Sequence, residues 1–134
     1  MKASGGRRSN QMDELPSSQT FGRTGEDAAV NYLDRCKFRI VERGFRFFRG
    51  EIDIIAYDGP TLVFLEVKTR RKEDFGLPEE AVNTAKQRQI RKVAEGYLMV
   101  KNLPESRTPC RFDVLSVIPD DVRGFQIRHI KNAF

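Results

Sequence analysis

Gly50–Arg71, GEIDIIAYDGPTLVFLEVKTRR, reads as two apolar runs joined by Asp58-Gly59-Pro60. Turn chemistry between two runs rich in β-branched and aromatic residues predicts an antiparallel hairpin of Glu51–Tyr57 with Leu62–Thr69. Strand side chains alternate, so Leu62, Phe64, Glu66 and Lys68 share one face while Val63, Leu65 and Val67 share the other. Both faces begin apolar, which predicts a central strand covered on both sides. Asp53, Glu66 and Lys68 stand where that pattern calls for hydrophobic residues. A turn centred near Gly59 and Pro60 makes cross-strand partners sum to about 119–121, which sets Asp53 opposite the Glu66–Lys68 stretch. Glu66 and Lys68 leave one face about 7 Å apart, a spacing that suits groups sharing a ligand better than a close ion pair.

Working outward, Phe21, Gly25, Ala28, Ala29, Tyr32, Leu33 and Cys36 fall at the three-and-four spacing of an amphipathic helix over Thr20–Cys36, with Thr20 or Thr24 as its cap. Glu26 lies at the edge of the core-facing stripe, either as an ordinary first-turn acid or as a site residue. Phe38–Phe48 mixes Ile40, Val41 and Phe45 with Arg39, Arg43 and Arg46 and predicts a strand interrupted near Gly44, outside the most buried centre. After the hairpin, Arg70, Arg71 and Lys72 lead to Gly76 and Pro78 in a loop. A helix then runs from Pro78 or Thr84 to Met99, with Ile90, Val93, Ala94, Tyr97 and Leu98 inside. Lys86 and Gln87 precede Ile90 by four and three residues and so point toward the sheet. Arg88, Arg91 and Lys92 spread over other faces, as a solvated surface or a phosphate track. Cys110–Ile118 and Phe125–Ile130 are the last strands. Asp113 interrupts the first of them, either as a functional acid or as a buried one bonded to a backbone amide or to Arg111. His129, the single histidine, has no His or Cys partner in sequence and reads as structural. Phe134 is expected to dock on the body.

The 134 residues suffice for one domain with a real core, expected over residues 20–134 behind a disordered tail of residues 1–19. Net charge is +5 and the pI about 9.5. The tail holds Lys2, Arg7 and Arg8 against Asp13 and Glu14, so most of the surplus belongs to the folded part. A basic domain favours polyanionic partners, nucleic acid before anionic membrane. Cys36 and Cys110 form neither a CxxC nor a Cys/His cluster, so no zinc site or disulfide framework can be read, and two buried thiols in a reducing cytoplasm are expected. No apolar stretch reaches the ~18 residues of a membrane span, and no export signal follows Arg7-Arg8.

Burying carboxylates costs several kcal/mol each unless charge or hydrogen bonds compensate. Lys68 alone does not neutralise Glu26, Asp53 and Glu66, so a hard divalent cation with oxygen ligands, Mg²⁺ or Mn²⁺, is the expected cofactor. An acidic cation site in a basic domain is what phosphodiester hydrolysis requires.

A helix Glu (Glu26), a strand Asp (Asp53), then Glu66-Val67-Lys68 on the next strand and a helix with Lys86 and Gln87 resembles the PD-(D/E)xK nucleases. Closer still, TGEDAAVNYL, RGEIDIIAYDG, LVFLEVKTR, FGLPEEAV, RFDVLSV and HIKNAF resemble the YraN-type proteins, over about Phe21 to Phe134. Ile52 departs from the superfamily pattern at the Pro that gives it its name. The resemblance implies a restriction-endonuclease-like three-layer αβββαβ core with a mixed central sheet flanked by helices. It also implies a metal-dependent endonuclease acting on nucleic acid, DNA ahead of RNA, with homodimerisation left open. Carried over, Asp53, Glu66 and the Val67 carbonyl bind metal, Glu26 reaches it through water or holds a second cation, and Lys68 positions the attacking water. Lys86 and Gln87 contact the scissile phosphate, and Arg70, Arg71 and Arg91 contact the nucleic-acid backbone. A binding module that does not cut, or an interaction protein with a structural acidic network, are the alternative expectations.

Overall fold

The computed structural model describes residues 18–71 and 82–134, with side chains in the first helix from Gly25 onward. Most of the expected tail, the Thr20 or Thr24 cap, Phe21, the loop from Lys72 through Pro78 and the FGLPEEA part of its motif lie outside the described residues or side chains.

Helix α1 (Ser18–Arg35) begins two residues inside the stretch expected as tail. It is followed by strands β1 (Arg39–Phe47), β2 (Gly50–Asp58) and β3 (Thr61–Thr69). Helix α2 (Thr84–Val100) then crosses to β4 (Cys110–Asp120), with a 3-10 turn at Glu105–Arg107 on the way, and β5 (Gly124–Ile130) closes the chain. The described part of α2 starts at Thr84, where the Asn83 side chain accepts the Lys86 N–H at 2.9 Å and so satisfies one of the donors that a helix start leaves open. The sheet order is β1-β2-β3-β4-β5, antiparallel except for the β3–β4 pair. Parallel strands need a long crossover, and α2 supplies it.

The Gly59-Pro60 turn, with φ 61° at Gly59, pairs Asp58 with Thr61 and Ile54 with Leu65, the register expected from the sequence. β3 is central, and Leu62, Val63, Phe64 and Leu65 are all buried. Each such side chain contributes about 1.5–3 kcal/mol by leaving water. Leu62 and Phe64 pack with Ile90, Val93, Ala94 and Tyr97 of α2, while Val63 and Leu65 pack with Ala29 and Leu33 of α1 on the opposite face. The result is the expected three-layer α/β arrangement with a mixed sheet, αβββαβ plus β5. β1 is an edge strand that continues through Gly44 despite a φ of 65° there; its register shift falls between Ile40 and Glu42 instead.

Phe134 docks as expected, its ring stacked on Phe112 at 5.1 Å. The cysteines correct the sequence reading. Cys36 follows the last residue of α1 and Cys110 begins β4, and both are exposed because element ends reach the surface. Among the described residues no helix is long and apolar enough to cross a membrane.

Candidate functional site

Asp53 sits where β2 and β3 stop pairing. The ladder ends at Ile54–Leu65, and the next backbone donor of β3 on that edge, the Val67 N–H, is taken by the Asp53 carboxylate at 2.8 Å. A residue in an antiparallel ladder turns its N–H and C=O to the same edge, so the Val67 carbonyl faces this gap as well. Burial pushes the Asp53 carboxyl up from its ordinary 3.8 to about 7. The Val67 amide works against that rise, and the charges of Glu66, Glu26 and Glu51 add to it.

Glu66 lies one step along β3 with only 15% of its side chain exposed. Its carboxyl is also raised, by burial first, while Lys86 and Lys68 pull the other way and Glu51 adds to the rise. Lys86 reaches from the first turn of α2 to within 3.7 Å of Glu66, an ion pair and not a hydrogen bond. Lys68 follows on the same face of β3, and Ser116, its partner across β4, is buried with a hydroxyl that meets no partner among the described residues.

Glu26 approaches from α1. A Cβ at Gly25 would stand 2.8 Å from the Thr69 hydroxyl, so only glycine lets the helix come this close to the end of β3. The Glu26 charge reaches Asp53, but its carboxylate is clasped by Arg43 at 3.0 Å, and the same guanidinium holds Asp27 at 2.9 Å. The structure thus brings Asp53, Glu66, Lys68 and Lys86 together, with Glu26 at the margin. Gln87 donates to the Val82 carbonyl at 2.7 Å and secures the entry to α2. Arg91 lies over the rings of Phe112 and Phe134 at 4.8 and 5.5 Å, among the C-terminal aromatics. Arg70 continues β3, its N–H bonded to the Val117 carbonyl at 2.8 Å, and Arg71 is exposed beside it.

Two contributors escaped the sequence reading. Glu51, two residues before Asp53 on the same strand, raises both central carboxyls, and its period-two spacing from Asp53 was the available signal. Arg43 carries no such signal, because its contact joins α1 to β1 across 16 and 17 residues. Among the described residues no three His, Cys, Asp or Glu groups cluster closely enough to hold a metal ion between them. The donor set still fits a hard divalent cation of the Mg²⁺ kind, which takes one or two carboxylates and leaves its other positions to water and phosphate.

The remaining polar cluster is structural. Asp113 is fully buried and accepts from Arg111 at 2.9 and 3.0 Å and from the Asn132 amide at 2.9 Å, and it meets His129 Nε2 at 2.8 Å. His129 Nδ1 lies 3.0 Å from the Tyr32 hydroxyl. Burial alone would raise the Asp113 carboxyl, but the bonds from His129, Arg111 and Asn132 outweigh it and hold it below its ordinary value.

Residues 25–117 match the model of the uncharacterised protein family UPF0102. The chain belongs to this family. Similar relatives carry the same family name. One from Geotalea uraniireducens is 47% identical over 122 residues, covering 91% of this chain and 94% of its own. One from Symbiobacterium thermophilum is 47% identical over 117 residues, covering 87% and 98%. A third, from Chlorobaculum tepidum, is 44% identical over 125 residues, covering 90% and 95%. UPF0102 is thus the YraN-type group that the motifs resemble, and the match runs from Gly25 within α1 through most of β4, including every residue of the Asp53–Glu66 site.

Proposed function

We propose that this UPF0102 protein is a divalent-metal-dependent nuclease of the PD-(D/E)xK kind, hydrolysing phosphodiester bonds in nucleic acid, DNA ahead of RNA, in the cytoplasm. One observation carries the reading: two carboxyls on adjacent strands, Asp53 and Glu66, are both raised by burial and flanked by Lys68 and Lys86. A fold does not gain stability from such a pair; a cation-binding site does need it. Asp53, Glu66 and the Val67 carbonyl would hold the ion, with Glu26 reaching it through water. When bound, the cation supplies Lewis acidity at the scissile phosphate. Lys68 holds the attacking water by donating a hydrogen bond to it, which leaves the water's lone pair directed at phosphorus. Lys86, already at the rim, swings from Glu66 to a phosphate oxygen and offsets its charge. Arg70 and Arg71 at the end of β3 extend the cationic surface toward the nucleic-acid backbone.

The Arg43 clasp on Glu26 favours a second reading, a nucleic-acid-binding module that keeps the site without cutting. Two measurements decide. In calorimetry, Mg²⁺ or Mn²⁺ binds the wild-type chain and not Asp53→Ala; no binding at millimolar metal sinks the nuclease reading. On labelled duplex, flap, four-way-junction and RNA substrates, Glu66→Ala and Lys68→Ala cut at least ~100-fold more slowly than wild type. Equal cleavage by all three proteins marks a contaminant, and tight binding with no cleavage by any selects the module.

A further inference from the structure

The turn between β1 and β2 consists of Phe48 and Arg49, with Phe47 and Gly50 paired across it. Phe48 has a φ of 53°, in the left-handed region that glycine and asparagine adopt readily and a bulky side chain does not. Its ring is 93% exposed and meets the edge of Phe47 at 4.6 Å. An aromatic ring at this position neither eases the turn nor fills the core. Strained residues that serve neither purpose concentrate at ligand-binding sites.

The ring stands over an open groove of about 590 Å³ between the hairpin and α2. The hairpin is seated by Gly96, where a Cβ would come 2.5 Å from the Phe47 ring. Met99, 69% exposed, adds a second apolar surface to the groove. Arg49 stands on the hairpin side and Lys92 on the helix side, and neither forms an ion pair with any of the described residues. Glu95 is the one acidic side chain in the lining. Apolar contact flanked by uncommitted cations is the chemistry that takes a nucleobase by its face and its neighbouring phosphates by their charge. A chain of five residues spans at most about 18 Å, so Phe48 stays within about five nucleotide steps of Asp53.

We propose that this groove is a stacking site for an unpaired nucleotide. Phe48 holds the base, Arg49 and Lys92 hold the flanking phosphates, and the preferred ligand is single-stranded or frayed nucleic acid. The proposal rests on the nucleic-acid part of the function above and narrows it to substrates with unpaired bases near the cut.

The chain has no tryptophan, so Phe48→Trp places a unique indole in the groove. The full-length variant is titrated in EDTA, which prevents cutting, with a 15-nucleotide oligothymidylate and with a blunt 15-base-pair duplex. The indole emission is expected to be quenched by the single strand and unaffected by the duplex. Phe48→Gly, which suits the turn and therefore folds, binds the single strand about tenfold more weakly in anisotropy titrations, and its duplex binding is unchanged. Arg49→Ala with Lys92→Ala lowers the salt slope of single-strand binding by about 1.4. Indifference of the indole to oligothymidylate together with undiminished binding by Phe48→Gly overturns the proposal. So does an indole blue shift that follows protein concentration without oligonucleotide, which assigns the groove to a second copy of the chain. Metal-dependent cleavage that survives either result leaves the nuclease reading standing. Loss of metal binding with intact indole quenching removes that reading alone.

Discussion

Asp53 is the residue whose energetics are most at odds with stability. Its carboxyl is raised to about 7 because burial and the neighbouring Glu66, Glu26 and Glu51 charges disfavour ionisation. A folded-state pKa above the unfolded one means that the native chain takes up a proton that the unfolded chain has released, so native stability falls as pH rises from about 4 to about 7 and is level above that. Asp53→Asn keeps an oxygen for the Val67 amide and removes the charge. In metal-free buffer it should match wild type near pH 4 and exceed it increasingly up to pH 7. Above that the difference should hold at about 1–3 kcal/mol, with part of the full linkage lost to solvent screening at a carboxylate that is not wholly buried. Urea unfolding at pH 4, 6 and 8 checks this, and a difference that does not grow with pH would refute the electrostatic account. Glu66 shares the pattern more weakly, since Lys86 and Lys68 already offset its charge. A bound cation would favour the ionised form of Asp53 at neutral pH and so reverse this trend.

At the scale of elements, α1 is set by its contact with the end of β3. A methyl group at Gly25 would stand 2.8 Å from the Thr69 hydroxyl, so Gly25→Ala should cost about 1–3 kcal/mol and tilt the start of α1 away from the sheet. Glu26 moves with it, which should weaken metal binding in calorimetry; a destabilised variant with unchanged metal affinity would show that Glu26 takes no part. Elements of this kind were largely legible in the sequence. Gly59-Pro60 gave a turn whose register could be counted, and the Ile54–Leu65 pairing agrees with that count, so the meeting of Asp53 with the Glu66–Lys68 stretch followed from arithmetic on the chain. The apolar runs of β3 and the stripe of α2 announced their partners because burial on two faces leaves no other composition. The Phe48-Arg49 turn was not legible, since it lacks the Asn or Gly that marks tight hairpins. Nor were the Arg43 clasp and the seat of Arg91 on Phe112 and Phe134, which depend on where separate elements come to lie. A charge on an exposed strand or helix face has many partners in sequence and only one in space.

The whole molecule is tied together on the side of the sheet that carries α1. Asp113, on β4, is bonded to Arg111, which reaches Asp58 at the end of β2, to the Asn132 amide near the C-terminus, and to His129 of β5, which touches Tyr32 of α1. One fully buried carboxylate therefore connects α1, three strands and the chain end, and its bonds hold its acid form well out of reach at neutral pH. A depressed folded-state pKa contributes stability above the ordinary value of 3.8 and loses it as pH falls through and below that point. Asp113→Asn removes the buried charge and weakens the charge-assisted bonds from Arg111, which keeps Asp58 at 3.0 Å as a second partner, so the loss should be about 2–3 kcal/mol. The variant should accordingly be much less stable than wild type in urea at pH 7, and the gap should narrow as pH drops below 3.8, because wild type then loses the same ion pair by protonation. Near-UV circular dichroism at pH 7 should report the loss of fixed packing around Tyr32 and the Phe38 ring, which lies 5.7 Å from His129. A gap of equal size at pH 7 and pH 3 would mean that Asp113 acts through shape and not charge. Because this network lies on the α1 face and the Asp53–Glu66 site opens on the α2 face, metal affinity of the still-folded fraction should be unchanged in Asp113→Asn, and a parallel loss of affinity would show that the network also positions the proposed site.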